Sequence, residues 1–248
     1  MLTEGVVGQA LSYPRAGLRA LDKLDAEDSL LAFVRLLWPV LEPGRKFIEG
    51  WVLECICEHL QAISRGEIKR LLINVPPGSS KSLLLNAFFP AWEWGPRNMP
   101  STRYLSASYS ETLTIRDNRK CRQVIESDLY RSMWGSRFVL CSDQNEKRKF
   151  ENDKTGFKLA TSTRGVGMGE RADRINIDDP NNVKEVESDA LRAEVLHWFT
   201  EVMPTRVNDP EKSTTCIIMQ RVHESALSGL LLANDLGSAH LVIPMEFE

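Results

Sequence analysis

The run Leu71-Leu72-Ile73-Asn74-Val75 breaks at Pro76-Pro77, passes through Gly78-Ser79-Ser80, and ends in Lys81-Ser82 before the apolar stretch Leu83-Leu84-Leu85. Apolar residues bounded by prolines read as a buried strand, and the leucines after Ser82 open a helix. A strand, a loop of small residues and a helix N-terminus, in that order, let backbone N–H groups wrap the oxygens of a phosphate. A Lys in the loop then reaches the β- and γ-phosphates of a nucleotide, and a Ser or Thr hydroxyl ligates magnesium. Lys81 and Ser82 supply both, with Pro77, Gly78, Ser79 and Ser80 as the cradle. The usual pattern has glycine at both ends of the loop. Here Val75 and Ser80 stand in those places and Gly78 is the only glycine.

A second element completes the first. Arg174-Ile175-Asn176-Ile177-Asp178-Asp179-Pro180 is a short β-rich run that ends in paired carboxylates, and Pro180 prevents it from continuing as a central strand. Alone, Asp-Asp-Pro is an ordinary turn. Paired with Lys81-Ser82 it takes a Walker B layout, with Asp178 holding magnesium and Asp179 placed to polarise an attacking water.

With 248 residues, the chain suits one large α/β domain, with or without a small appendage. A hydrophobic fraction of 42% and a charged fraction of 26% are those of an ordinary globular chain. No apolar run approaches a membrane span, and the N-terminus lacks the organisation of a secretion signal. The five cysteines are scattered and no pair has zinc-site spacing, so reduced thiols in the cytosol are expected. A net charge of −3 gives no global nucleic-acid signature. Locally, Arg116, Arg119, Lys120 and Arg122 recur at helical spacing, and Lys147-Arg148-Lys149 is a compact run. Such clusters serve as solvated faces or as phosphate contacts.

Residues 1 to about 25 show little periodicity and are expected to be loosely ordered or to form a short appended arm. Ala26 to Trp38 reads as an amphipathic helix stopped at Pro39, and Trp51 to Ile63 as a second. Helices are expected from Ser82 to about Trp94, over Ser110 to Ile125, over Leu129 to Trp134 and over Ser188 to Phe199. Further strands are expected at Arg103 to Ser108, Phe138 to Cys141, Gly156 to Ala160, Thr214 to Met219 and Ala239 to Ile243. Strands alternating with helices predict a mostly parallel central sheet with helices on both faces, and a ligand at the strands' C-terminal ends.

Four segments together resemble one family, the large terminase subunits of tailed bacteriophages and prophages, the ATP-driven motors of DNA packaging. They are Phe47 to Trp51 with Arg65 to Pro77, then Phe89-Pro90-Ala91-Trp92 with Ser106 to Ser110. The other two are Thr163 to Arg174 leading into Asp178-Asp179-Pro180, and Thr215 to Gly229. The resemblance covers nearly everything from residue 46 on. It implies an arm and helix over 1–45 and, over 46–248, a P-loop NTPase of the additional-strand (ASCE) type.

On this resemblance the cofactors are ATP and magnesium. Lys81 and Ser82 contact phosphate and metal, Asp178 is the Walker B carboxylate, and Asp179 takes the place of the catalytic Glu of many members. An Arg common at the position of Gly78 and a Gly usual at Ser80 are missing, so positive charge must come from elsewhere. Arg171 is the candidate arginine finger acting on a neighbouring subunit, with Arg164 as runner-up. The alternative for Arg171 is a surface ion pair with Glu170 or Asp173. Thr214-Thr215 with Gln220-Arg221 looks like the motif that senses hydrolysis, or else a plain core strand before a capped helix. Arg45 and Phe47 frame the adenine, unless Phe47 is core.

The implied partners are double-stranded DNA, the portal protein, the small terminase subunit and like subunits in a ring, five being the expected number. No membrane is involved, and the implied location is the host cytoplasm, docked at the procapsid portal. Relatives carry a nuclease domain after the motor. This sequence ends where the link to it would begin, so a motor without nuclease activity is expected. A nucleic-acid helicase or a non-hydrolysing DNA-tethering subunit are the rival readings.

Overall fold

The computed structural model of the chain describes residues 15–165, 169–233 and 237–245. It opens with helix α1 (Arg15–Asp28) and α2 (Leu30–Leu41). The expected loose arm is therefore helical from Arg15, and residues 1–14 lie outside the described residues. Its apolar positions Leu21 and Leu24 are exposed, while Ala26 near its end is buried. Ser29 separates the two helices because its hydroxyl accepts the Ala32 N–H at 3.2 Å, capping α2. Pro39 does not stop α2 but sits inside its last turn. The carbonyl it leaves unbonded belongs to Arg35, an exposed residue whose carbonyl water can satisfy.

After α3 (Trp51–Ser64) comes β1 (Arg70–Asn74), then α4 (Lys81–Leu83), a π-helical turn over Leu84–Phe88, and α5 (Phe89–Trp94). The helix expected from Ser82 to Trp94 is thus one rod with a widened turn, in which Phe89 N–H bonds the Leu84 carbonyl. Pro90 has no N–H to give the Asn86 carbonyl, so the regular ladder cannot pass through this turn. Next are β2 (Tyr104–Ser108), α6 (Glu111–Glu126), α7 (Asp128–Trp134), β3 (Leu140–Asn145), β4 (Lys149–Asn152), β5 (Phe157–Ser162) and β6 (Arg174–Asp178). The chain continues through α8 (Asp189–His197), a π turn, a 3₁₀ turn, β7 (Thr214–Met219), α9 (Leu227–Ala233) and β8 (Ala239–Val242). Strand β4 was hidden by its charges, for it takes up the end of the Lys147-Arg148-Lys149 run while Phe150 and Asn152 point inward.

The eight strands form one open sheet in the order β3-β4-β5-β2-β6-β7-β1-β8. β1 is parallel to β7 and β8, β6 to β7 and β2, and β2 to β5. Among the described strands only β4 runs against the others. Strand β7 lies between β1 and β6. Alternate residues feed two cores. Leu71, Ile73, Tyr104, Cys216 and Ile218 pack beneath α2, α3, the α4–α5 rod, α6 and α7. Leu72, Leu105, Ile175, Ile177 and Ile217 pack against the α8–α9 side. Helices thus cover both faces of a mostly parallel sheet, as the alternation of elements predicts.

Deep on the first face, Arg174 pairs with Glu93 at 2.9 Å, and the Tyr104 hydroxyl donates to the same carboxylate. Glu93 is fully buried. Removing one partner of such a pair strands the other charge, so Glu93→Ala is expected to cost about 3–5 kcal/mol. Urea denaturation followed by circular dichroism measures it. A midpoint unchanged from the parent chain would show that Arg174 reaches water.

Candidate active site

Because the sheet is parallel, the ends of β1, β7, β6, β2 and β5 gather at one edge, and the loops leaving them form the candidate site. The loop after β1 is held by Val75 N–H on the Met219 carbonyl at 3.2 Å. It turns through two left-handed positions, Gly78 at φ 83° and Ser80 at φ 58°. Glycine takes such a φ freely, whereas Ser80 does so at about 1–2 kcal/mol. The missing glycine at residue 80 therefore does not abolish the turn. The Ser79 hydroxyl is buried without a hydrogen-bond partner among the described residues.

The turn delivers Lys81 and Ser82 to the end of β6. Lys81 Nζ lies 2.7 Å and 3.0 Å from the two carboxylate oxygens of Asp179. The Ser82 hydroxyl stands beside the Asp178 carboxyl and favours its charged form. Four residues singled out in the sequence, from segments far apart in the chain, thus meet at one point. Asp178 is almost wholly buried, and its Oδ1 has no partner among the described residues. Burial pushes its carboxyl up to about 7, the neighbouring Asp179 charge adds to the rise, and the Ser82 hydroxyl opposes it. A buried carboxylate beside a hydroxyl, with one oxygen unmet, is a fitting donor set for a hard divalent cation.

Asp179 is pinned from both sides. Its N–H donates to the Ile218 carbonyl at 2.9 Å, its carbonyl accepts Tyr109 N–H at 3.2 Å, and its Oδ1 accepts Gln220 N–H at 3.0 Å. These bonds to the ends of β7 and β2 hold it at φ 43°, a conformation that persists in a non-glycine residue only when its surroundings over-determine it. Gln220 enters the site, then, through its backbone. Thr214 and Thr215 lie at the opposite end of β7, so the strand's length separates the two halves of the segment expected to sense hydrolysis.

Beside the loop opens a cleft of about 710 Å³, walled by Arg45, Ile48, Pro77, Ser80, Pro244 and Met245 among others. That volume falls within the range of small-molecule sites. Arg45 is one of its walls. Phe47 is not among the described walls; it packs tilted on Trp38 at 5.3 Å and joins the core, while Ile48 beside it is exposed to the cleft. Pro244 and Met245 were missed because nothing in the sequence brings the end of β8 next to β1.

The two candidate fingers separate. Arg164 follows β5 and stands at the same sheet edge as the site, paired with Glu185 at 2.7 Å and Glu194 at 3.4 Å. Arg171 precedes β6 at the far edge, and the strand alone puts roughly 13 Å between that edge and Asp178. It is exposed. The expected alternative pairings do not form, because Glu170 binds Lys149 and Asp173 bonds the Arg103 N–H and the Asn208 amide. Of the glycine-rich run between the two arginines, Val166, Gly167 and Met168 lie outside the described residues.

No family model matches the chain, and no curated protein matches it. The case for its function therefore rests on the site's own chemistry. Among the described residues no helix is long and apolar enough to cross a membrane.

Proposed function

We propose that the chain is a magnesium-dependent ATPase of the P-loop, additional-strand class, the motor domain of a phage-type large terminase that drives double-stranded DNA into a procapsid. The observation that carries this reading is the convergence of Lys81 and Ser82 with Asp179 and Asp178 at the parallel edge, with β7 lying between the strands that bring them. Lys81 would bind the β- and γ-phosphates once released from Asp179. Ser82 and Asp178 would hold magnesium, which neutralises phosphate charge when bound. Asp179 would orient the attacking water and accept its proton at the carboxylate. The cleft walled by Arg45 and Ile48 would take the base.

Its place at the far edge supports Arg171 as a finger for a neighbouring subunit, whereas Arg164, at the site's own edge, would act in its own. The ring of like subunits, the portal and small-subunit contacts and the host cytoplasm belong to the same proposal. Grip on DNA falls to few side chains. Within the two basic clusters Arg116, Lys120, Arg122, Arg148 and Lys149 all have acidic partners, leaving Arg119 and Lys147 as the candidate phosphate contacts among the described residues.

The Lys81–Asp179 pair also favours a second reading, a non-hydrolysing DNA tether in which the lysine never leaves its carboxylate. Steady-state phosphate release separates the two. We expect magnesium-dependent turnover that rises with protein concentration and falls at least a hundredfold in Lys81→Ala. An Arg171→Ala and Asp179→Asn mixture should regain activity that neither variant has alone. No turnover in the unmodified chain at any magnesium concentration would leave the tether.

A further inference from the structure

The polar residues facing the α4–α5 rod form rungs across β2 and β6. The register pairs Tyr104 with Arg174, Ser106 with Asn176, and Ser108 with Asp178. The residues between them, Leu105, Ala107, Ile175 and Ile177, all enter the opposite core, so the three rungs share one face. The first is closed by Glu93, which binds both members. The second is closed as well, for Ser106 accepts from Lys158 at 2.9 Å and Asn176 donates to the Leu85 carbonyl at 3.0 Å. The third is open. Ser108 is 1% exposed and, among the described residues, neither its hydroxyl nor the Asp178 Oδ1 beside it has a partner.

Two unmet buried polar groups side by side are rare, since each costs about 1–3 kcal/mol unless something fills the gap. The open rung is the one that adjoins Ser82. A hydrated divalent cation satisfies such a place, because its waters donate to carboxylate and hydroxyl oxygens alike.

Building on the proposed nucleotide site, we infer that Ser108 is a further positioning residue of the metal centre, its hydroxyl holding a metal-bound water beside Asp178. Ser82 and Asp178 contact the cation or its first waters, while Ser108 fixes the water on the β2 side. The tip of β2 thereby joins the metal to Tyr109, whose N–H holds the Asp179 carbonyl.

Calorimetric titration of a non-hydrolysable ATP analogue across magnesium concentrations, and in chelator, tests this without turnover. Ser108→Ala should raise the magnesium needed for half-maximal tightening about tenfold, leave metal-free affinity unchanged, and keep or raise the thermal midpoint, since no hydrogen bond is lost. Ser108→Thr keeps the hydroxyl and should restore the magnesium response. A Ser108→Ala response superposing on that of a magnesium-sensitive parent overturns the inference alone. Equal loss in Ala and Thr assigns the effect to packing and overturns it too. A parent chain whose affinity ignores magnesium removes the underlying nucleotide site and the inference with it.

Discussion

Asp178→Asn should make the nucleotide-free chain more stable at pH 8 while destroying its response to magnesium. The buried carboxyl of Asp178 titrates near 7, far above its ordinary value of 3.8, chiefly because burial disfavours its charge. The folded state therefore holds the proton more tightly than the unfolded state. Stability tied to this group is fully present below pH 4 and is lost as the pH rises through 7. Above pH 7 the folded chain must carry an ionised, incompletely solvated carboxylate, a penalty on the order of 4 kcal/mol for a carboxyl raised from 3.8 to about 7. Asparagine keeps the shape beside Ser82 but cannot ionise. The melting midpoint of the variant should exceed the parent's by on the order of 5–10 °C at pH 8. The gap should close as the pH falls toward 4. Added magnesium and ATP should reverse the order, because ligand binding stabilises the parent by mass action and the variant has lost the metal. Equal midpoints at pH 8 would mean that Asp178 is solvated and is not the poised group described above.

The fold was legible wherever periodicity and chain-breaking residues agreed. β7 lies at Thr214–Met219 as read, and β1, β2 and β6 fall within a residue or two. Each is an apolar run bounded by prolines, glycines or charges, where local preference and tertiary burial coincide. The failures have separate causes. Helix α1 leaves Leu21 and Leu24 exposed, whereas strand β4 interleaves its buried Phe150 and Asn152 with the charged Lys149 and Glu151. Pro39 was read as a stop because proline breaks helices in isolation, yet the bond it forfeits sits one turn before the helix ends.

The site was legible for a different reason. Lys81, Ser82, Asp178 and Asp179 are of the residue types that phosphate and metal chemistry calls for, so the sequence singles them out before any contact is known. Positions that act through shape alone were illegible. Phe47 and Ile48 are neighbours, and only the structure assigns one to the core and the other to the cleft. Ser108 lies in one of the four segments that resemble the terminases, yet a serine at a strand end carries no signal until its neighbour across the ladder is known.

Asp179→Asn should bind ATP more tightly than the parent chain and hydrolyse it far more slowly. In the nucleotide-free protein Asp179 holds Lys81 through both oxygens, at 2.7 Å and 3.0 Å, with the lysine side chain only 7% exposed. An arriving γ-phosphate must take the lysine from a carboxylate that is itself kept in place by Gln220 and by the ends of β7 and β2. Part of the phosphate's binding energy is therefore spent on breaking an existing ion pair. Neutralising residue 179 removes that competition and one negative charge facing the phosphates, so affinity should rise about tenfold, or about 1.4 kcal/mol. Turnover should fall between a hundredfold and ten thousandfold, the usual contribution of a positioned general base. Calorimetry and phosphate release in one buffer measure the two effects. Asp179→Glu separates charge from reach: it keeps the competition for Lys81, so its affinity should stay near the parent's, whereas its longer arm alters turnover alone. If Asp179→Asn instead weakened binding, the lysine pair would be a support for the phosphate loop rather than its competitor. The two outcomes differ in sign, because the Lys81–Asp179 contact is either a latch that ATP opens or a strut that ATP needs.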